Sequence, residues 1–100
     1  MTHEFIVEIT TTVPEGTDPA EVSARRAAEA VRTGELASSG NLVRLWRSVG
    51  EPRTIGLWRA HDETDLRERV LDTLPLRAWM RLTITAVQPH PNDPGRSDRA

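Results

Sequence analysis

Four short segments of this chain alternate between apolar and polar residues, and they restrict its possible folds more than any other feature. The segments cover residues 4–13, 42–49, 54–59 and 80–87. Alternation with a period of two is typical of strands that bury one face. The second and third segments are joined by a turn sequence, Gly50-Glu51-Pro52-Arg53. We therefore predict that these two strands form a hairpin.

Two helices are predicted in the rest of the chain. Asp18 and Pro19 suit the N-cap and the first position of a helix, which continues to about Ser39 and stops at Gly40. A second helix opens with the acidic run at residues 62–65, because acidic residues favour a helix N-terminus. The resulting order, β-α-β-β-α-β, is typical of an α+β, ferredoxin-like fold. Right-handed crossovers then place both helices on one face of a four-stranded antiparallel sheet.

The other face of this sheet is predicted to be too apolar to remain exposed. We expect it to carry Ile6, Leu42, Trp46, Trp58 and Val87. Such a patch on a domain of only 100 residues is typical of a subunit interface. The sequence therefore predicts a homo-oligomer in which the two tryptophans pack between subunits.

The composition excludes several classes of function. The formal net charge is -2 and the pI is about 5.9, which argues against nucleic-acid binding. All 13 basic residues are Arg, so a lysine Schiff base is excluded. The chain has no Cys, which excludes disulfides and thiolate chemistry and fits a cytoplasmic protein. No apolar run reaches the roughly 20 residues of a membrane span, and the first residues do not resemble a signal peptide.

No motif for a metal or a cofactor occurs in the sequence. It contains neither a glycine-rich phosphate loop nor a G-x-S-x-G elbow. His3, His61 and His90 are far apart in the sequence, so we interpret them as surface or edge residues rather than metal ligands. We therefore expect any enzyme activity to use acids, bases and hydrogen bonds, without a cofactor.

Glu29 is the candidate acid–base residue. Val22, Glu29 and Leu36 are each seven positions apart and share one stripe of the first helix. A carboxylate on a core-facing stripe is costly unless it is paired, protonated or functional, and partial burial would raise its pKa toward that of a proton shuttle. The alternative is that the alanine-rich side, between Ala24 and Val31, faces the core and leaves Glu29 in solvent.

Arg47 is the second candidate. It shares a pleat face with Val43, Leu45 and Val49 and so is predicted to point toward the core. An inward Arg is rarely buried without an acidic partner. That partner is either Glu29, in a structural ion pair, or an acidic substrate held by the planar guanidinium. The sequence leaves both possibilities open.

Six short motifs follow one another between Phe5 and Pro91. They are the first strand ending in Pro14, Asp18-Pro19, Arg26-Ala27-Ala28-Glu29, Leu45-Trp46-Arg47 with Gly50, Leu74-Pro75-Leu76 with Trp79-Met80, and His90-Pro91. On these motifs the chain resembles the muconolactone isomerase family, and Leu-Trp-Arg-x-x-Gly is the most specific of them. The chain departs from the family pattern at Arg26, where the family has Lys.

The resemblance implies a fold, an assembly and a reaction. Members of the family have the ferredoxin-like fold, associate through their sheets into dimers and larger rings, commonly decamers, and need no cofactor. They move the double bond of muconolactone by a 1,3 proton shift. The product is 3-oxoadipate enol-lactone, an intermediate of aromatic catabolism in the β-ketoadipate pathway.

On this basis we assign roles to individual residues. Glu29 is the proton shuttle, Arg47 holds the substrate carboxylate or the dienolate, and Arg26 tunes Glu29. Further substrate-binding side chains are expected at Arg44, Trp46, Trp79 and His90.

Two other functions are compatible with this fold, which does not by itself define an activity. One is a small cofactor-independent oxygenase or cyclase of the same dimeric α+β barrel type, which acts on a phenolic or polyketide-like substrate. The other is a non-catalytic module that binds small aromatic acids. In each case we expect one domain at residues 1–91 and a polar tail at residues 92–100.

Overall fold

The computed structural model describes residues 2–95 and contains a four-stranded antiparallel sheet. Its strands are β1 (His3–Thr11), β2 (Leu42–Arg47), β3 (Arg53–Ala60) and β4 (Met80–Val87). Their order across the sheet is β2-β3-β1-β4, so β1 pairs with both β3 and β4. Together with the helical segments that follow β1 and β3, this confirms the predicted α+β, ferredoxin-like fold.

The long helix, α1, spans Pro19–Ser38, close to its predicted limits. The Asp18 carboxylate caps its first turn by accepting a hydrogen bond from the Ala20 N–H at 2.9 Å. Gly40 follows the helix with a φ of 86°, the left-handed conformation that ends many helices and favours glycine. Neither α1 nor any other helix within residues 2–95 is long and apolar enough to cross a membrane.

The second helical segment, residues 63–73, is irregular. An α-helical turn at Glu63–Asp65 leads into a π-helical turn at Leu66–Val70 and a 3₁₀ turn at Leu71–Thr73. A further 3₁₀ turn at Arg77–Trp79 precedes β4. The predicted second helix is therefore present as a series of differently wound turns. These turns still direct one apolar stripe toward the sheet, which buries Leu66, Val70 and Leu71.

The hydrophobic core lies between the second helical segment and one face of the sheet, which we call the inner face. The inner face presents Phe5, Val7 and Ile9 from β1 and Trp58 from β3, all of them buried. Within α1, which is fully described, Leu36 is the only buried residue. Most of α1 therefore borders the inner face without packing tightly onto it.

The structure corrects the predicted faces of three residues. Trp58 pairs with Phe5 and is only 1% exposed, so it lies on the inner face and not at the predicted interface. Leu42 pairs with Trp58, and a register shift between Leu42 and Arg44 breaks the alternation of β2, so Leu42 also packs against the core. Val49, predicted to face the core, lies beyond the end of β2 and is 99% exposed.

The opposite side of the sheet, the outer face, combines apolar and charged residues. Ile6 pairs with Leu57 at its centre, and Trp46 pairs with Ile55. Cross-strand ion pairs flank the apolar residues, with nitrogen–oxygen distances of 3.1 Å for both Arg59–Glu4 and Arg53–Glu8. The predicted apolar patch thus keeps Ile6, Trp46 and Val87 and gains Ile55 and Leu57 in place of the two residues that lie on the inner face.

Candidate active site

A cavity of about 450 Å³ opens between α1 and the inner face of the sheet. Its volume lies in the range of small-molecule sites. The sheet contributes a largely apolar wall that includes Ile9 and Met80. Among the described residues, the charged side chains of the lining are Arg26, Glu29 and Arg47. These are the three residues that the sequence analysis assigns to catalysis, and the fold brings them to one cavity.

Glu29 is partly buried and faces the cavity from α1. Its Oε1 accepts a hydrogen bond from the Leu76 backbone N–H at 3.0 Å. Burial raises the pKa of the Glu29 carboxyl above its ordinary value, and the Leu76 hydrogen bond opposes this rise only in part. Within residues 2–95, its Oε2 makes no hydrogen bond or ion pair. This carboxylate can therefore accept a proton from a molecule in the cavity.

The face of α1 that carries Glu29 is anchored by two further polar side chains. Arg25 donates from Nη1 to the Pro75 carbonyl oxygen at 3.4 Å, and Arg32 donates from Nε to Thr73 Oγ1 at 3.0 Å. Positions 25, 29 and 32 lie on one side of a helix. The alternative in which the alanine-rich side faces the core is therefore wrong, and Val31 on that side is 64% exposed.

Arg26 and Arg47 reach the cavity without an acidic partner. Neither guanidinium takes part in any ion pair between described residues. The structural pair of Arg47 with Glu29, which the sequence left open, does not form in this chain. Arg26 lines the cavity close to Glu29 in the helix but forms no ion pair with it, and the raised pKa of Glu29 has burial as its main cause. The cavity thus offers two cations to an anionic ligand.

The four other predicted binding residues lie outside this cavity lining. Arg44 and Trp46 are on the outer face, where the Arg44 guanidinium stacks 5.2 Å from the centre of the Trp46 ring. The Trp79 ring lies against Arg25, 4.8 Å from its guanidinium carbon. His90 follows β4 and accepts a hydrogen bond at Nδ1 from the Asn92 N–H at 2.9 Å. A substrate-binding role for these four stays a prediction.

Sequence reasoning missed two residues of the site, Trp58 and Leu76. Trp58 lines the cavity, and its pairing with Phe5 could not be read without the register of the sheet. Gly56, two residues earlier, was the available signal, because a glycine inside a strand often marks close approach of another group. Leu76 acts through its backbone N–H, which no side-chain pattern reveals.

These features define a class of protein: a ferredoxin-like α+β domain with an acid–base cavity between its long helix and its sheet. The muconolactone delta-isomerase family matches residues 3–93, and the chain belongs to this family. The predictions of the family and of an isomerase are thereby confirmed.

Two known muconolactone isomerases agree with this membership. The chain is 29% identical to the muconolactone delta-isomerase of Rhodococcus opacus over 89 residues, which is 89% of this chain and 95% of that protein. It is similar to the crystal structure of a muconolactone isomerase with a TM-score of 0.83 and 25% identity, covering 96% of this chain and 99% of that one. A cofactor-independent oxygenase from Streptomyces nogalater gives a TM-score of 0.49 at 18% identity, over 93% of this chain and 97% of that one.

Proposed function

We propose that this protein moves a carbon–carbon double bond of muconolactone by a 1,3 proton shift and forms 3-oxoadipate enol-lactone. The charge arrangement of the cavity carries the proposal. A partly buried carboxylate, Glu29, shares this space with the guanidinium groups of Arg26 and Arg47. Muconolactone carries a carboxylate and an acidic C–H bond conjugated with its lactone carbonyl. The cavity therefore offers a cation and a base to the two groups that the reaction needs.

Glu29 is the proposed base and acid of the reaction. Its carboxylate takes the acidic proton, and the electron pair of the broken C–H bond spreads over a dienolate. The same carboxyl group then returns the proton to the ring carbon next to the lactone carbonyl, which re-forms the carbonyl and leaves the double bond one position further along the ring. One carboxylate suffices when both carbons face it on the same side of the planar intermediate. Its raised pKa supports this role, because a rise from the ordinary carboxyl range toward the operating pH makes the group better able to take up and return a proton.

Arg47 and Arg26 are the proposed anion-binding groups. Arg47 projects from the end of β2 and Arg26 from α1, so the two guanidinium groups approach the cavity from different walls. Arginine cannot donate its proton at ordinary pH, which leaves the proton transfer to Glu29. We assign the substrate carboxylate to Arg47 and a supporting electrostatic role to Arg26.

The direct test is to incubate the purified protein with muconolactone and to follow both the reaction and dissolved oxygen. Proton NMR should show conversion to the enol-lactone without added cofactor and without oxygen consumption. Oxygen uptake would instead support the oxygenase alternative. Binding by calorimetry without any turnover would support the non-catalytic module and contradict the proposal.

We further propose that the protein works as a homo-oligomer in the cytoplasm, within the β-ketoadipate pathway. The outer face supports the assembly, because Trp46 is 41% exposed beside Ile55 and Leu57, and burying such a patch stabilises association at roughly 25 cal/mol per Å². Sedimentation should detect a dimer or a larger ring at micromolar concentration, whereas a stable monomer would contradict it. Neighbouring genes for catechol cleavage and muconate cycloisomerisation would support the pathway.

A further inference from the structure

The indole N–H of Trp58 is a buried donor without an acceptor. The residue is 1% exposed, and its Nε1 has no hydrogen-bond partner among the described residues. A buried indole N–H usually finds a partner, because leaving it unpaired is costly. Trp58 is also part of the cavity lining. A molecule bound in the cavity can therefore supply the missing acceptor.

Gly56 determines where this N–H lies. Gly56 and Trp58 are two positions apart on β3 and share the inner face. A Cβ atom at position 56 would lie only 2.3 Å from Trp58 Nε1, so the indole nitrogen lies over the glycine. Along the β2–β3 hairpin, Gly56 pairs with Leu45 and Thr54 pairs with Arg47. The indole nitrogen therefore lies one inner-face position away from the Thr54–Arg47 pair. The guanidinium of Arg47 forms no ion pair with a described residue.

We propose that Trp58 donates its indole N–H to the lactone carbonyl oxygen of the bound substrate, which becomes negative in the dienolate. This inference rests on the isomerase function proposed above. Glu29 approaches the cavity from α1 and Trp58 from the sheet, so a substrate between them can contact both. Leu45 borders the indole nitrogen, with its Cδ1 3.2 Å from the same Cβ position on Gly56. Leu45 is 47% exposed, so we expect its side chain to turn away as the oxygen approaches.

The hydrogen bond acts while charge moves onto the oxygen. Glu29 takes a proton from the substrate carbon, and the C–H electron pair moves through the conjugated bonds to the carbonyl oxygen. Trp58 keeps its own proton throughout. When Glu29 returns the proton to the other carbon, the carbonyl re-forms and the charge leaves the oxygen. Because this charge is largest in the transition state and the dienolate, the donor lowers the barrier more than it tightens substrate binding.

Trp58→Phe tests the proposal, because phenylalanine keeps an aromatic ring in the core and removes the N–H. We expect kcat to fall on the order of 10²-fold, as for other donors to an oxyanion, with little change in KM. Leu71→Val is the matched control, since Leu71 is fully buried but lies outside the cavity lining. It should lower the melting temperature without lowering kcat at a temperature where it is folded. An unchanged kcat in folded Trp58→Phe would overturn the role of Trp58.

A second measurement uses the unmodified protein and does not depend on turnover. The three Trp residues give three indole N–H signals in a ¹⁵N-labelled sample, and Trp58 is assigned with Trp58→Phe or, by elimination, with Trp46→Phe and Trp79→Phe. The probe is the saturated carboxymethyl butyrolactone, which keeps the lactone carbonyl but has no double bond to move. We expect the Trp58 indole proton to shift downfield on binding. Probe binding that shifts backbone signals of α1 but leaves this proton unchanged would contradict the proposal.

The two proposals fail in different ways. If the wild-type protein does not isomerise muconolactone, the proposed function fails. If it does so and either Trp58 experiment is negative, only the role of Trp58 fails.

Discussion

Replacing Arg47 with methionine should reduce the stabilisation of the transition state of muconolactone isomerisation without unfolding the protein. Methionine keeps much of the aliphatic length and removes the guanidinium. A hydrogen bond from a charged group contributes about 1.5–3 kcal/mol, which corresponds to a loss of about 10- to 150-fold in kcat/KM. Arg47 is largely exposed, and solvent screening reduces such interactions. We therefore expect the lower part of this range, about 10- to 30-fold.

The assay is steady-state turnover of muconolactone, with kcat and KM measured separately. A higher KM at constant kcat would assign Arg47 to the carboxylate in the ground state, whereas a lower kcat would assign it to the dienolate. Arg47→Lys keeps the charge but not the planar fork, so its loss should be smaller. The melting temperature should stay constant, because Arg47 forms no ion pair with another described residue. The control is Arg81→Met, an exposed arginine paired with Thr10 outside this cavity lining.

A wild-type kcat/KM in both Arg47→Met and Arg81→Met would show that Arg47 has no role in the reaction. A large fall in melting temperature for Arg47→Met would show instead that the side chain stabilises the fold. The first result would remove the proposed anion site from the sheet wall of the cavity.

Three other predictions follow from the same contacts. The rate should fall as the pH is lowered through the pKa of Glu29, because the base must be ionised. Burial raises this pKa, so the fall in a kcat/KM profile should come at higher pH than for an exposed glutamate. A rate that stays constant down to the pKa range of an exposed glutamate would contradict this prediction. Gly56→Ala should destabilise the fold by about 1–3 kcal/mol, because the Cβ of the alanine would lie 2.3 Å from the buried Trp58 Nε1. Each kcal/mol lowers the melting temperature by roughly 4–8 °C, and an unchanged melting temperature would show that the indole moves freely. Deleting residues 92–100, of which 96–100 lie outside the described residues, should leave the melting temperature nearly unchanged, whereas a loss of folded protein would show that the tail belongs to the domain.

The strands and α1 were predictable because local signals agree with the tertiary structure. The alternation of β4 gave the same limits as the structure, Met80–Val87, and Asp18 caps α1 as its sequence suggests. Glu29 was predictable for a related reason: it lies seven residues from both Val22 and Leu36, and Leu36 is the buried residue of α1. A helix that buries one end of a stripe directs the rest of that stripe to the same side.

The faces of the hairpin were less predictable, because they depend on register rather than on composition. A register shift between Leu42 and Arg44 has no clear sequence signal, and it changes which residues of β2 face the core. Trp46 and Arg47 are adjacent on β2, and adjacent side chains of a strand point to opposite faces. The prediction that both line one pocket of the same chain therefore does not fit a strand. Within one chain, the cavity receives Arg47 and the outer face receives Trp46.

The central claim, that Glu29 moves the proton, is tested most directly by muconolactone turnover in Glu29→Gln. Glutamine keeps the size of the side chain and an oxygen that can accept the Leu76 N–H, but it cannot take a proton. We expect turnover to fall by about 10²–10⁴-fold. The melting temperature at neutral pH should not fall, because burial disfavours the ionised carboxylate and the amide removes that cost. Glu35→Gln, an exposed change on the same helix, should retain wild-type turnover. A folded Glu29→Gln protein that isomerises muconolactone at nearly the wild-type rate would contradict this account.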